Sequence, residues 1–280
     1  MMHDLSVNQA SSLRWTFCQD VVRYSALGFT SIGLLRPKLD EMDLDDAAEL
    51  LYEMKMSVTS LSWVGGFTEG GVFSYPRAIE DAQDALRAAA LLQSPCVLLN
   101  PGGQNGHTHK NARRVLHQAL RELVPVAEDL HVRLVIEPTP IHDGLDRNML
   151  DGWEEVMEHI APYPSRWLGL ALDLFHIGHD EKLLSQLPTL LDRVALVQLA
   201  DRAQDCRRRC RRLPLGRGSN PIERWLKSLR DLKYTGPIEL ELYGEELRGA
   251  DYHTSIQQAQ DYLARLGFVT PVGSGTVSGE

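Results

Sequence analysis

Cysteine is scarce in this chain: Cys18, Cys96, Cys206 and Cys210 are spread over 280 residues. A disulfide framework needs a denser set, so free thiols in a reducing compartment are the simplest expectation. Long apolar runs are missing as well. No stretch approaches the roughly 18 apolar residues of a membrane span. The opening MMHDLSVNQASS has no apolar core of the kind a secretory signal carries. Positive charge is outnumbered, 29 Lys and Arg against 38 Asp and Glu, for a formal net charge of −9. Such a surface repels polyanions unless a local basic patch reverses the field, so nucleic acid is a poor default partner. An anionic substrate would need a cation at the reactive centre. No Gly-rich phosphate turn follows the first predicted strand, which argues against an open, doubly wound sheet. These absences lead to the expectation of a soluble cytoplasmic protein with a small-molecule partner.

What is present is an ordinary globular composition, 43% hydrophobic and 24% charged. Short apolar runs predict strands over 5–9, 30–35, 57–63, 96–101, 132–138, 168–173, 194–201 and 238–243. Several are apolar on both faces, as strands of a covered parallel sheet must be. Between them, apolar residues at helical spacing predict helices over 16–28, 44–55, 76–93, 109–130, 149–160, 180–191, 221–232 and 251–266. Gly28 suits a C-cap, and Pro76 and Pro221 suit helix starts. Eight strands alternating with eight helices predict an α/β fold, a (β/α)8 TIM barrel. Residues 1–268 are expected to form one domain, and 269–280, ending Gly/Ser-rich, a flexible tail.

Polar residues sit where four late strands end. Glu137 closes VRLVIE, Asp173 closes LGLALD, Gln198 lies in VALVQLAD and Glu241 in IELELY. An acidic group in an apolar strand is expensive to bury unless it is paired or binds a cation. At the C-terminal ends of barrel strands such side chains converge on one face. Any one of them serves equally as a helix cap or an Arg partner. Together they make an oxygen cage for a hard divalent ion, Mn2+ or Mg2+ before Co2+ or Zn2+.

The chain resembles the xylose isomerase-like TIM barrel superfamily of sugar isomerases, ketose 3-epimerases, inosose dehydratases and 3-dehydroshikimate dehydratases. The likeness runs from Leu5 to Gly267. It rests on IEP at 136–138, LDLFH at 172–176, VQLAD at 197–201, LPLGRGSNPIERWLKSL at 213–229 and YTGPIELELYGEEL at 234–247. The resemblance implies Glu137, Asp173, Gln198 and Glu241 as ligands of one metal ion. Many ketose epimerases carry His at the third position, and Gln198 is a departure shared with dehydroshikimate dehydratases. The D-x-x-H pattern implies that His176 contacts substrate near the metal; a backbone carbonyl partner in the following loop is the alternative. His179, close by, fits an exposed loop residue.

Other candidates are open between binding and packing. His142 and Asp143 lie in the loop after Glu137, where relatives contact substrate, and a solvated turn would hold them as well. His107 follows the fourth strand in NPGGQNGHTH and suits either the pocket or a helix cap. Trp63 would wall a sugar ring or simply pack. Asn8 and Gln9 at the first strand's end are weaker candidates. Six arginines crowd CRRRCRRLPLGRG at 206–218, and relatives place one before a G-x-G turn. Arg211 or Arg212 matches, with Arg212 taken as the substrate contact; the others suit a solvated basic loop. Cys206 and Cys210 make a poor zinc pair without further ligands.

The resemblance implies a metal-dependent sugar or sugar-phosphate isomerase or epimerase that abstracts a proton next to a carbonyl held by the ion. Glu137 and Glu241 are the implied acid and base. A lyase of the inosose or 3-dehydroshikimate dehydratase type begins with the same proton and is the alternative. An endonuclease of the same superfamily would need more His ligands and suits the acidic balance poorly. A barrel that binds sugar without turning it over is the last option. Relatives are often dimers or tetramers, which admits a homo-oligomer.

Overall fold

Strands that are apolar on both faces can hide both only in a sheet that closes on itself and is wrapped by helices. The computed structural model describes residues 5–68, 73–139, 149–150, 152–203, 211–243 and 251–268. In it β1 (Leu5–Asn8), β2 (Ser31–Leu35), β3 (Ser57–Gly65), β4 (Cys96–Asn100), β5 (Arg133–Ile136), β6 (Leu168–Asp173), β7 (Val194–Leu199) and β10 (Ile238–Leu240) form a closed parallel barrel. Its order is β1-β10-β7-β6-β5-β4-β3-β2. Between β7 and β10 a small antiparallel hairpin pairs β8 (Asp201–Arg202) with β9 (Arg212–Leu213). Residues 269–280, expected as a tail, lie outside the described residues.

The predicted helices are found as α1 (Phe17–Ala26), α3 (Leu44–Glu53), α4 (Tyr75–Leu91), α5 (His109–Asp129), α6 (Gly152–Ile160), α8 (Glu181–Leu190), α9 (Ile222–Asp231) and α10 (Tyr252–Arg265). Side chains of Thr16, Asp43, Thr108, Asp180 and Asp251 accept backbone N–H groups at helix starts. Two four-residue helices, α2 (Arg36–Leu39) and α7 (Leu174–Ile177), are too short to leave a periodic trace in the sequence. Among the described residues no helix is long and apolar enough to cross a membrane.

Side chains alternate across each strand, so every second residue enters the barrel. Cys96, Leu98, Val135, Ala171 and Leu196 form a buried apolar cluster of their own, separate from the larger core between sheet and helices. Two residues beyond Val135, Ala171, Leu196 and Glu239, on the same strand faces, stand Glu137, Asp173, Gln198 and Glu241. The strand period thus carries these four toward the C-terminal end of the barrel. At the opposite end, Arg133 donates to the carbonyls of Asp192 and Arg193. Arg193 in turn donates to those of Ile160, Tyr163 and Leu168.

The α5–α6 contact contains an acid-sensitive point. The ring of His159 on α6 lies tilted against that of His117 on α5, centroids 4.5 Å apart. His159 is buried, and neither ring nitrogen has a hydrogen-bond partner among the described residues. Burial, then the nearby His117 and Arg113, push its pKa down to about 4, against the pull of Glu158. The folded state therefore keeps His159 neutral while the unfolded chain takes up a proton below pH 6.5, so stability falls as pH drops from there toward 4. His159→Leu removes this liability. Urea unfolding at pH 4.5 and pH 7 should show the variant losing less stability than the parent, by on the order of 1 kcal/mol. Equal losses would mean that His159 does not titrate in that window.

Candidate active site

Asp173 ends β6 and begins α7. Its Oδ1 accepts the N–H of Phe175 at 2.8 Å, capping the short helix. That turn swings His176 back over the strand end. Its Nε2 lies 3.5 Å from Glu137 Oε1 and 3.8 Å from Asp173 Oδ2. Glu137, Asp173 and His176 each offer a ligand atom, all within 4.8 Å of one another. Two of the four expected ligands are thus brought together, with the expected substrate contact His176 beside them.

Glu241 joins this group through Arg212. Arg212 Nη2 donates to Asp173 Oδ2 at 2.6 Å, and Nη1 donates to the Glu241 carbonyl at 2.7 Å and lies 3.6 Å from Glu241 Oε2. The guanidinium also stacks over the Phe175 ring, 4.4 Å from its centroid. Of the two candidate arginines, Arg212 is buried and Arg211 exposed. Arg212 reaches the carboxylates themselves, where only a substrate contact was expected.

Gln198 is the cross-strand neighbour of Asp173 on one side and of Glu239 on the other. It is fully buried; Nε2 donates to Glu239 Oε2 at 3.4 Å, while Oε1 has no hydrogen-bond partner among the described residues. A buried amide oxygen left without a donor is costly. A divalent ion is one group that would satisfy it, so the donor set fits a metal: carboxylates and an amide oxygen, with the imidazole of His176 beside them. With that imidazole nearby, the set suits Zn2+ or Co2+ as well as Mn2+.

The electrostatics point the same way. Burial, then the charges of Asp173 and Glu241, raise the Glu137 carboxyl well above the ordinary carboxylate range, and Arg212 only partly offsets this. Burial pushes Glu241 up to about 8 against Arg212, with Asp173 and Glu239 adding to the rise. A further cation would relieve this crowding.

The loop that delivers Arg212 is held by one residue absent from the sequence reading of the site. The Asp201 carboxylate accepts backbone N–H groups from Arg202, Gly216, Gly218 and Asn220 at 2.8–3.0 Å. A Cβ on Gly218 would stand 2.3 Å from Asp201 Oδ1, so the G-x-G turn can close this tightly only with glycine there. The second missed group is Glu239; strict alternation in IELELY would have placed it on the face of Glu241.

The family model described as a xylose isomerase-like TIM barrel matches residues 21–266. The chain belongs to that family. No match is found among curated proteins. Among solved structures, a protein from Sinorhizobium meliloti 1021 superposes with a TM-score of 0.84 at 20% identity, covering 94% of this chain and 98% of that one. An IolI protein with a bound zinc atom gives 0.81 at 17% identity, over 96% and 100%. A D-psicose 3-epimerase from Clostridium cellulolyticum H10, determined with D-tagatose, gives 0.76 at 15% identity, over 96% and 99%. At these identities the likeness is one of fold.

The remaining candidates of this family member have separate surroundings. Trp63 is partly exposed and lines a cleft of about 600 Å³ with Arg36, Phe73, Asp81, Asn100 and Asn105. His107 rests on Asn111 at the start of α5. Asn8 belongs to the polar network around Glu239, Gln9 accepts the N–H of Leu35, and His179 is exposed beside Ser219. His142, Asp143, Cys206 and Cys210 lie outside the described residues.

Removing one partner of a buried ionic cluster leaves the others uncompensated. Arg212→Met in metal-free protein should therefore lower the unfolding free energy by about 3 kcal/mol in urea titrations. A loss below about 1 kcal/mol would show that the carboxylates do not depend on this guanidinium.

Proposed function

We propose that this protein is a divalent-metal-dependent isomerase or epimerase of a sugar or sugar phosphate, moving a proton on a carbon next to a carbonyl. The convergence of Glu137, Asp173 and His176 within 4.8 Å carries the proposal. Glu137, Asp173, Gln198 and Glu241 would hold the ion. When bound, it supplies Lewis acidity, easing the build-up of negative charge on the substrate's oxygens. Glu137 and Glu241 are assigned the proton transfers: one takes the proton from carbon, the other returns one to the opposite face, and a stereocentre is inverted. Arg212 fixes Asp173 and the backbone at Glu241. His176, beside Glu137, is assigned to a substrate hydroxyl. Trp63 near the end of β3, and His107 and His142 in the segments after β4 and β5, are kept as substrate contacts. The zinc-bound IolI protein and the D-psicose 3-epimerase among the structural neighbours support the class, a small keto-sugar or cyclic polyol.

Gln198 favours one alternative. Relatives with Gln at this position include dehydratases, in which loss of the proton is followed by departure of hydroxide from the adjacent carbon, leaving a product with one more double bond. Both reactions share the first step, and product separates them: a new stereoisomer of unchanged mass, or a product lighter by one water.

The test is proton exchange. With Mn2+ in D2O, and ketoses, inososes and dehydroshikimate as substrates, deuterium should enter the carbon next to a carbonyl. A chelator should stop it and added Mn2+ restore it. Glu241→Gln should slow exchange by at least about 100-fold. Exchange at the parent rate in that variant would remove Glu241 from the proton transfer. Exchange that survives exhaustive chelation would remove the metal.

A further inference from the structure

Below the ligand carboxylates a fourth acidic side chain is sealed in the barrel. Glu239 is fully buried, yet the mechanism above gives it no part. Its carboxylate accepts four hydrogen bonds. Thr59 Oγ1 and Ser60 Oγ donate to Oε1 at 2.6 and 2.7 Å. Asn8 Nδ2 and Gln198 Nε2 donate to Oε2 at 3.1 and 3.4 Å. The surroundings are shaped to this carboxylate. Asn8 cannot turn its amide over without losing the N–H of Ala10, which donates to its Oδ1 at 2.9 Å. Gly33 leaves the room, since a Cβ there would stand 2.6 Å from Glu239 Oε1.

Gln198 is an ambiguous ligand on its own. Rotating its amide by half a turn exchanges the oxygen, which can bind a cation, for the NH2 group, which cannot. Glu239 removes that ambiguity. A carboxylate that already receives three donors accepts the amide NH2 and repels the amide oxygen, so Oε1 points away from it and stays without a hydrogen-bond partner among the described residues. Groups behind a metal ligand commonly set its orientation in this way.

We infer that Glu239 is a positioning residue: it locks the Gln198 amide with its carbonyl oxygen available to the divalent ion. The inference rests on the metal site proposed above and adds to it the device that makes a glutamine usable where many relatives place histidine.

Mn2+ binding to the full-length, metal-stripped protein, measured by calorimetry and by loss of the free-ion electron paramagnetic resonance signal, tests this without turnover. Glu239→Leu should weaken Mn2+ binding about tenfold or more. Glu239→Gln should recover most of the loss, because its amide can donate to the Thr59 and Ser60 hydroxyls and still present an oxygen to Gln198. In a Gln198→Ala background, Glu239→Leu should cause no additional loss, since no amide remains to be oriented. Should Glu239→Leu fail to fold, judged by circular dichroism, Glu239→Asp decides. It keeps the charge but withdraws the acceptor by one methylene, and should also weaken binding about tenfold. Parent-like affinity in the folded Leu or Asp variant, or an equal loss with and without Gln198, overturns the assignment to Glu239 and leaves the metal site standing. A parent protein that binds no Mn2+ at all overturns the metal site, and Glu239's role with it.

Discussion

Glu137, Asp173 and Glu241 are crowded at one end of a barrel where water is scarce, and Arg212 is the guanidinium that touches two of them. Like charges in such a place disfavour one another's ionised forms. The arrangement is tolerable only with compensating positive charge, and much of the neighbouring structure supplies or awaits it. Arg212 comes from β9, outside the barrel, so that hairpin must be held to within hydrogen-bond distance. Asp201 does this with four backbone N–H groups drawn from both sides of the hairpin. Phe175 supplies a ring for the guanidinium to rest on, and the cap at Phe175 N fixes which oxygen of Asp173 faces it.

The barrel interior is divided between two solutions to the same burial problem. On the β4–β7 side it is filled by Cys96, Leu98, Val135, Ala171 and Leu196. On the other side Asn8, Thr59 and Ser60 surround Glu239 with donors. The first half needs only shape. The second needs every hydrogen bond in place, because a partly satisfied buried carboxylate is worse than none. Gln198 stands at the seam between the halves, two residues beyond Leu196 and paired across strands with Glu239.

The barrel was legible because its strands are short apolar runs and its helices carry clear caps. Each predicted strand and helix has its counterpart within a few residues. Glu137, Asp173 and Glu241 were legible as acids in apolar strands, which physics tolerates only for a reason. What escaped is non-local. Asp201 looks like any loop acid until four backbone amides from a segment up to 19 residues away turn toward it. Glu239 was overshadowed by Glu241, although the alternation of IELELY puts both inside. The closeness of His176 to the carboxylates follows from the cap at Asp173, which sequence spacing suggests but does not fix. Helices α2 and α7 and the β8–β9 hairpin are too short for any periodicity to register.

The hydrogen at Gly33, where other residues carry a Cβ, ties the backbone of β2 to the side chain of a strand two places round the barrel. Any side chain there collides with Glu239 Oε1 and with Asn8 Nδ2. Alanine at that position must displace the Glu239 carboxylate or the Asn8 amide from the hydrogen bonds they share. The residues at 33 and 239 therefore share one volume, and a change at either is felt at the other.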